Sequence, residues 1–191
     1  MAGDISSKLA GATNVLLKKA PNLTISSSQV TGGVTSPVSI ANGGTGVTAI
    51  PLLRATDSSS GQSLPASAYT KILLGNTIFD TNSNFSSSRF TPTVPGKYMI
   101  GYQASILSTN TVATNLYFSC IFKNGSLYCN SCWGVPLTSI GMQLGGCDIV
   151  SMNGSTDYIE LYFYNGNAAT TVTTNSPSTT GTYLSAAWVG A

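Results

Sequence analysis

A chain of 191 residues with eight basic and six acidic side chains is charged at only 7% of its positions, and it contains no histidine; an ordinary soluble domain carries about 25% charged residues. The missing histidine excludes Ser-His, Cys-His and His-metal catalysis, and a net charge of +2 without any clustered basic stripe excludes nucleic-acid binding by counterion release. So uncharged an exterior is expected to be neutral-polar or covered by copies of the same chain, and self-association is the favoured reading.

Residues 1–20 hold Lys8, Lys18 and Lys19 against Asp4, which accounts for the net charge; beyond them Arg54, Lys71, Arg89, Lys97 and Lys123 balance Asp57, Asp80, Asp148, Asp157 and Glu160. This basic tip reads either as a contact for an acidic partner protein or as a solvated terminus. Val15-Leu16-Leu17 is too short for the apolar core of a signal peptide and is followed by lysines, and no run approaches the ~20 apolar residues of a membrane span. Assembly in a cytoplasm, without export or membrane insertion, is the expectation. Residues 21–50 carry no charge and alternate weakly, as extended chain broken by glycines. Such a segment orders only against a neighbour or wound with its own copies. Within it, Asn42, Gly43, Gly44, Thr45 and Gly46 form an NGGTG element, whose glycines permit close backbone approach near a trimer axis or, equally, a flexible linker. The element closely resembles one in tail-fibre and other adhesion appendages of bacterial viruses. Residues 51–66, polar and bracketed by Pro51 and Pro65, read as a linker to a domain at 67–191.

From residue 67 onward, short β-branched and aromatic runs cut by Asn, Ser, Pro and Gly predict strands near 69–74, 77–80, 89–92, 97–107, 114–123, 126–133, 135–142, 147–152, 157–165, 168–174 and 181–189. Pro92, Pro95 and Gly96 specify a tight corner, and Asn153-Gly154 and Asn165-Gly166 read as hairpin turns. In the run 158–164, Ile159, Leu161 and Phe163 are expected in the core. The alternate face carries Tyr158, Glu160, Tyr162 and Tyr164.

The order Lys71-Ile72-Leu73-Leu74, Ile78-Phe79-Asp80, Asn84-Phe85, Phe90-Thr91-Pro92 and Pro95-Gly96-Lys97-Tyr98 resembles the opening of the trimeric jelly-roll heads of the complement-component-one-q and tumour-necrosis-factor superfamily. Phe122-Lys123-Asn124-Gly125-Ser126 is similar to that family's central hairpin. Leu144-Gly145-Gly146-Cys147-Asp148-Ile149-Val150 resembles its Leu-x-x-Gly-Asp-x-Val strand with one residue inserted, and Tyr183-Leu184-Ser185-Ala186-Ala187 its closing strand, with Leu184 where Phe is usual. The resemblance covers about 66–191. It implies an all-β chain: an antiparallel β-sandwich (jelly roll) behind an extended N-terminal anchoring arm, homotrimeric; the face of Tyr158, Tyr162 and Tyr164 is then either the threefold contact or a binding surface, and the resemblance favours the trimer contact.

The cysteines leave three readings open. If Asn124-Gly125 is a two-residue turn, Lys123 opposes Ser126, and counting back along both strands sets Cys120 opposite Cys129 in a non-hydrogen-bonded pair whose separation of about 4.5 Å permits a cross-strand disulfide. Buried free thiols suit a reducing cytoplasm. Zinc is the third, weak candidate, because Cys129-x-x-Cys132 has ligand spacing but Cys120 and Cys147 stand singly. The scattered carboxylates offer no glycosidase pair, no phosphate-binding loop occurs, and neither a cofactor nor an enzyme activity is expected.

These features together predict a virion component of a bacterial virus. Its first reading is a trimeric short tail fibre anchored through residues 1–50 to baseplate, tail or capsid proteins, meeting a host-surface glycan or protein with its head. The alternatives are a capsid decoration or head-fibre protein and a secreted ligand or lectin of the same superfamily. Against the last stand the unrecognised signal peptide and the lack of collagen-like repeats.

Overall fold

The computed structural model describes residues 50–58, 61–107, 111–112, 114–131, 134, 141–175 and 181–191. The arm containing Asn42, Gly43, Gly44, Thr45 and Gly46 lies outside the described residues, as do Cys132 and nearly all of the strand expected at 135–142. Among the described residues the regular elements are all strands, and no helix is long and apolar enough to cross a membrane. In chain order they are β1 (Leu52–Thr56), β2 (Ser63–Leu64), β3 (Ala68–Lys71), β4 (Asn76–Asp80), β5 (Phe85–Ser86), β6 (Arg89–Phe90) and β7 (Gly96–Ile106). The chain continues with β8 (Tyr117–Lys123), β9 (Ser126–Asn130), β10 (Met142–Met152), β11 (Ile159–Asn165), β12 (Val172–Thr173) and β13 (Tyr183–Gly190).

Two antiparallel sheets form a sandwich. One has the order β10-β7-β13-β1-β4; the other runs β5-β6-β11-β8-β9, with β3 also paired to β11, and β12-β2 makes a small separate ladder. Period-two alternation decides which residues lie between the sheets. Along β7, Tyr98, Ile100, Tyr102, Ala104 and Ile106 are buried; along β11, Ile159, Leu161 and Phe163 face them, as expected. Each such large apolar side chain contributes about 2 kcal/mol on leaving water. The buried phenols keep partners: Tyr98 donates to the Val94 carbonyl at 2.7 Å, and Tyr102 lies 3.7 Å from Cys129 Sγ. Gly146, directly opposite Tyr102, makes room for that ring, which a Cβ would strike.

Three expectations need correction. The linker of residues 51–66 enters the sandwich: Leu52–Thr56 is a strand between β13 and β4, with Leu53 and Ala55 in the core. Its five residues alternate properly, but Pro51 and Arg54 masked the pattern in so short a run. β10 begins at Met142, five residues before the expected start, because its glycines are tolerated where β7 pairs with it along its whole length. Of the Asn-Gly pairs among the described residues only Asn124-Gly125 has two positive φ angles, 53° and 80°. Gly154 alone is positive in its pair, and Asn165 is a buried strand residue whose side chain bonds the carbonyls of Leu64 and Thr170.

Candidate interaction surfaces

The cysteines do not pair as the simple register suggests. The Asn124-Gly125 turn does set Lys123 opposite Ser126, but a bulge between Ile121 and Phe122 accommodates Tyr128 and moves the partners on by one. Cys129 therefore faces Ile121, Cys120 faces Asn130, and Cys120, Cys129 and Cys147 are free thiols. Alternation then sends Cys120 and Cys129 to opposite faces of the sheet. Cys120 is fully buried, and burial, helped by the neighbouring Cys129, pushes its thiol up to about 12. Cys147 is exposed on the opposite sheet. Among the described residues no three Cys, Asp or Glu side chains gather as metal ligands, and the fourth zinc candidate, Cys132, lies outside them.

The carboxylates are tied to separate structural partners. Asp80 accepts from the Phe85 amide at 2.7 Å, and Asp157 accepts from Asn124 Nδ2 and Lys123 Nζ at 2.7 and 3.0 Å. Glu160 accepts from Lys71 and Arg89.

Tyr158, Tyr162 and Tyr164 do share the face of β11 turned away from the core, as alternation requires, yet each is engaged within its own chain. Tyr162 stacks on Phe122 at 4.0 Å between ring centroids, Tyr164 on Phe118 at 4.9 Å, and the Arg89 guanidinium covers Tyr158 at 3.8 Å. Tyr69, opposite Tyr164 on β3, leans across the group against Tyr164, Phe118 and Phe122.

A more apolar surface lies on the outer side of the five-stranded sheet. Cross-strand register lines up Ile149, Met99, Ala187 and Leu52 across β10, β7, β13 and β1. The next row is Cys147, Gly101, Ser185, Arg54 and Phe79. Ile149 is 55% exposed, and Met99, Phe79 and Leu52 are exposed too. Because Gly101 and Ser185 are small between larger neighbours, the rows enclose a shallow depression of about 210 Å³. Arg54, stacked on Tyr183 at 4.4 Å, marks the turn toward a more polar row.

Solved structures share this arrangement of strands. The globular domain of zebrafish complement 1qA protein matches 74% of this chain and 98% of its own length, with a TM-score of 0.52 and 11% identity. Murine APRIL at pH 8.0 and at pH 5.0 matches 74% of this chain and all of its own length, with TM-scores of 0.54 and 0.55 and identities of 14% and 12%. The fold is a C1q/TNF-like jelly roll. No family model and no curated protein matches the sequence.

Within this jelly roll, sequence reasoning placed the tyrosine face but missed the apolar rows opposite. A signal was present: in Met99-Ile100-Gly101-Tyr102 and Ile149-Val150 neighbouring residues are apolar, so both faces of those strands avoid water. Which strands would bring Met99, Ile149 and Leu52 side by side was not readable, since the three residues are far apart in the sequence.

Proposed function

We propose that this chain is a non-catalytic, self-associating structural protein of a bacteriophage virion: a homotrimeric short tail fibre whose residues 1–50 hold other virion proteins and whose jelly roll meets the host surface. The observation that carries this reading is the exposed row of Ile149, Met99, Ala187 and Leu52 with Phe79 beside it, on a chain with almost no charge to keep such a surface solvated. A contiguous apolar face on a rigid sheet is a liability in a monomer and an interface in a closed assembly. Three copies follow from the resemblance to trimeric heads, and the NGGTG element at 42–46 supports a viral appendage. The free thiols suit assembly in a reducing host cytoplasm. The absence of histidine supports a role without catalysis.

Sedimentation of the purified full chain is expected to give the mass of three copies, and a stable monomer at micromolar concentration overturns the reading. Antibodies raised against the jelly roll are expected to label the tail of the particle. Labelling of the head would instead make the chain a decoration or head-fibre protein that stabilises the shell.

A further inference from the structure

The outer face of the other sheet presents a second surface, which assembly through the apolar rows leaves accessible. At its centre Glu160, only 3% exposed, accepts Lys71 Nζ at 2.7 Å and Arg89 Nε at 2.9 Å on the same oxygen. Lys71 is tied down further by the Ser87 carbonyl at 2.8 Å. Arg89 is held in two ways: its Nε is fixed by Glu160 and its plane lies on the Tyr158 ring. Its side chain is nevertheless 44% exposed, and its two Nη groups make no hydrogen bond among the described residues. Such a guanidinium is a pre-oriented fork, with little entropy left to lose when an anion docks. Two cations on one carboxylate leave a single positive charge, whereas Lys123 and Asp157 nearby cancel each other. Further along β11 the surface is aromatic: Tyr69, 43% exposed, stands edge-on to Phe118 and Phe122 and tilted to Tyr164, 4.8 to 5.9 Å from their ring centroids.

We propose that this face binds a carboxylated oligosaccharide, one bearing uronic or sialic acid, with the carboxylate on the Arg89 fork and a sugar ring lying on Tyr69. The single positive charge matches one acid group. The exposed ring of Tyr69 offers the kind of aromatic surface on which the C–H face of a pyranose packs. Tyr69 opposes Tyr164, four residues from Glu160 along β11, a span of roughly 13 Å at strand rise, so the ligand has several sugar units. The proposal rests on the adhesive part of the reading above and names its ligand class.

The test is an NMR titration of the full chain with sialyllactose and with trigalacturonate, each compared with its methyl ester. At least one acid is expected to bind, with its ester weaker by about tenfold or more, as loss of a charge-assisted bidentate contact requires. Arg89→Gln and Tyr69→Ala are each expected to weaken binding about tenfold with the trimer intact, and Arg89→Lys to fall between, since it keeps charge without the fork. Failure of both acids to bind, equal binding of acid and ester, or full affinity in folded Arg89→Gln overturns the proposal. The ester comparison uses the unaltered chain and decides the matter even if a variant misfolds. Intact trimers that ignore both acids would sink this site and leave the assembly standing; monomers that bind would do the reverse.

Discussion

Glu160 is the residue on which one face of the molecule turns. Burial alone would raise its carboxyl, but the hydrogen bonds and charges of Lys71 and Arg89 hold it below its ordinary value of 4.5. Asp157 is also lowered, chiefly by the hydrogen bond from Asn124, with Lys123 adding to it against a smaller burial penalty. Both groups bind protons less readily folded than unfolded, so the stability they contribute is complete above their unfolded values and is lost as pH falls through the folded ones. Thermal melts are expected to plateau above about pH 5 and decline below it, with a shallower decline in a Glu160→Gln, Asp157→Asn double variant. Glu160→Gln alone leaves Lys71 and Arg89 without their shared anion and is expected to cost about 2 kcal/mol at neutral pH, measured by urea denaturation. Cys120, fully buried with its thiol pushed up to about 12 by that burial, should resist alkylation until the domain unfolds. Mass spectrometry after a timed iodoacetamide pulse, with and without urea, measures this directly.

At the scale of elements, the hairpin of β8 and β9 shows how one residue redirects chemistry. Its turn was legible, because Asn and Gly are the residues that accept positive φ in succession. The bulge at Tyr128 was not: nothing local announces an extra residue in a strand, and its position is chosen by how the sheet must twist to cover the core. That residue separates Cys120 from Cys129. The chain purified without reductant is accordingly expected to show all described thiols free by intact mass. Gly125→Ala, at a φ of 80°, should cost about 1 kcal/mol. Gly166→Ala should cost more, about 2 kcal/mol or above, because its Cβ would land on the backbone carbonyl of Leu116, which cannot step aside. Paired urea melts of the two variants check the order.

For the whole molecule, the two outer faces divide the work. The rows built on Met99 and Ile149 are expected to close on another copy, and the Tyr69–Arg89 face to remain in solvent. Met99→Glu would set a carboxylate amid Ile149, Ala187 and Leu52. Burying that charge unpaired costs several kcal/mol, so ultracentrifugation is expected to show monomers, with a melting curve still cooperative because the core is untouched. Cys147, in the adjacent row, reports the same event: its thiol should label rapidly in Met99→Glu and slowly in the unaltered assembly.

Alternation and turn residues alone sufficed for the all-β class, for the inward set Ile159, Leu161 and Phe163, and for the corner at Pro92 to Gly96. These are local consequences of side-chain periodicity and backbone sterics, written within a few residues of one another. Tertiary structure decided the rest: that Leu52–Thr56 joins the sheet, that a bulge parts the cysteines, that Lys71 and Arg89 meet on Glu160, and that four scattered apolar residues form one row. Each of those depends on which distant strands pair and in what register. Pairing is settled by the fit of the whole core, and no stretch of the chain carries that information by itself.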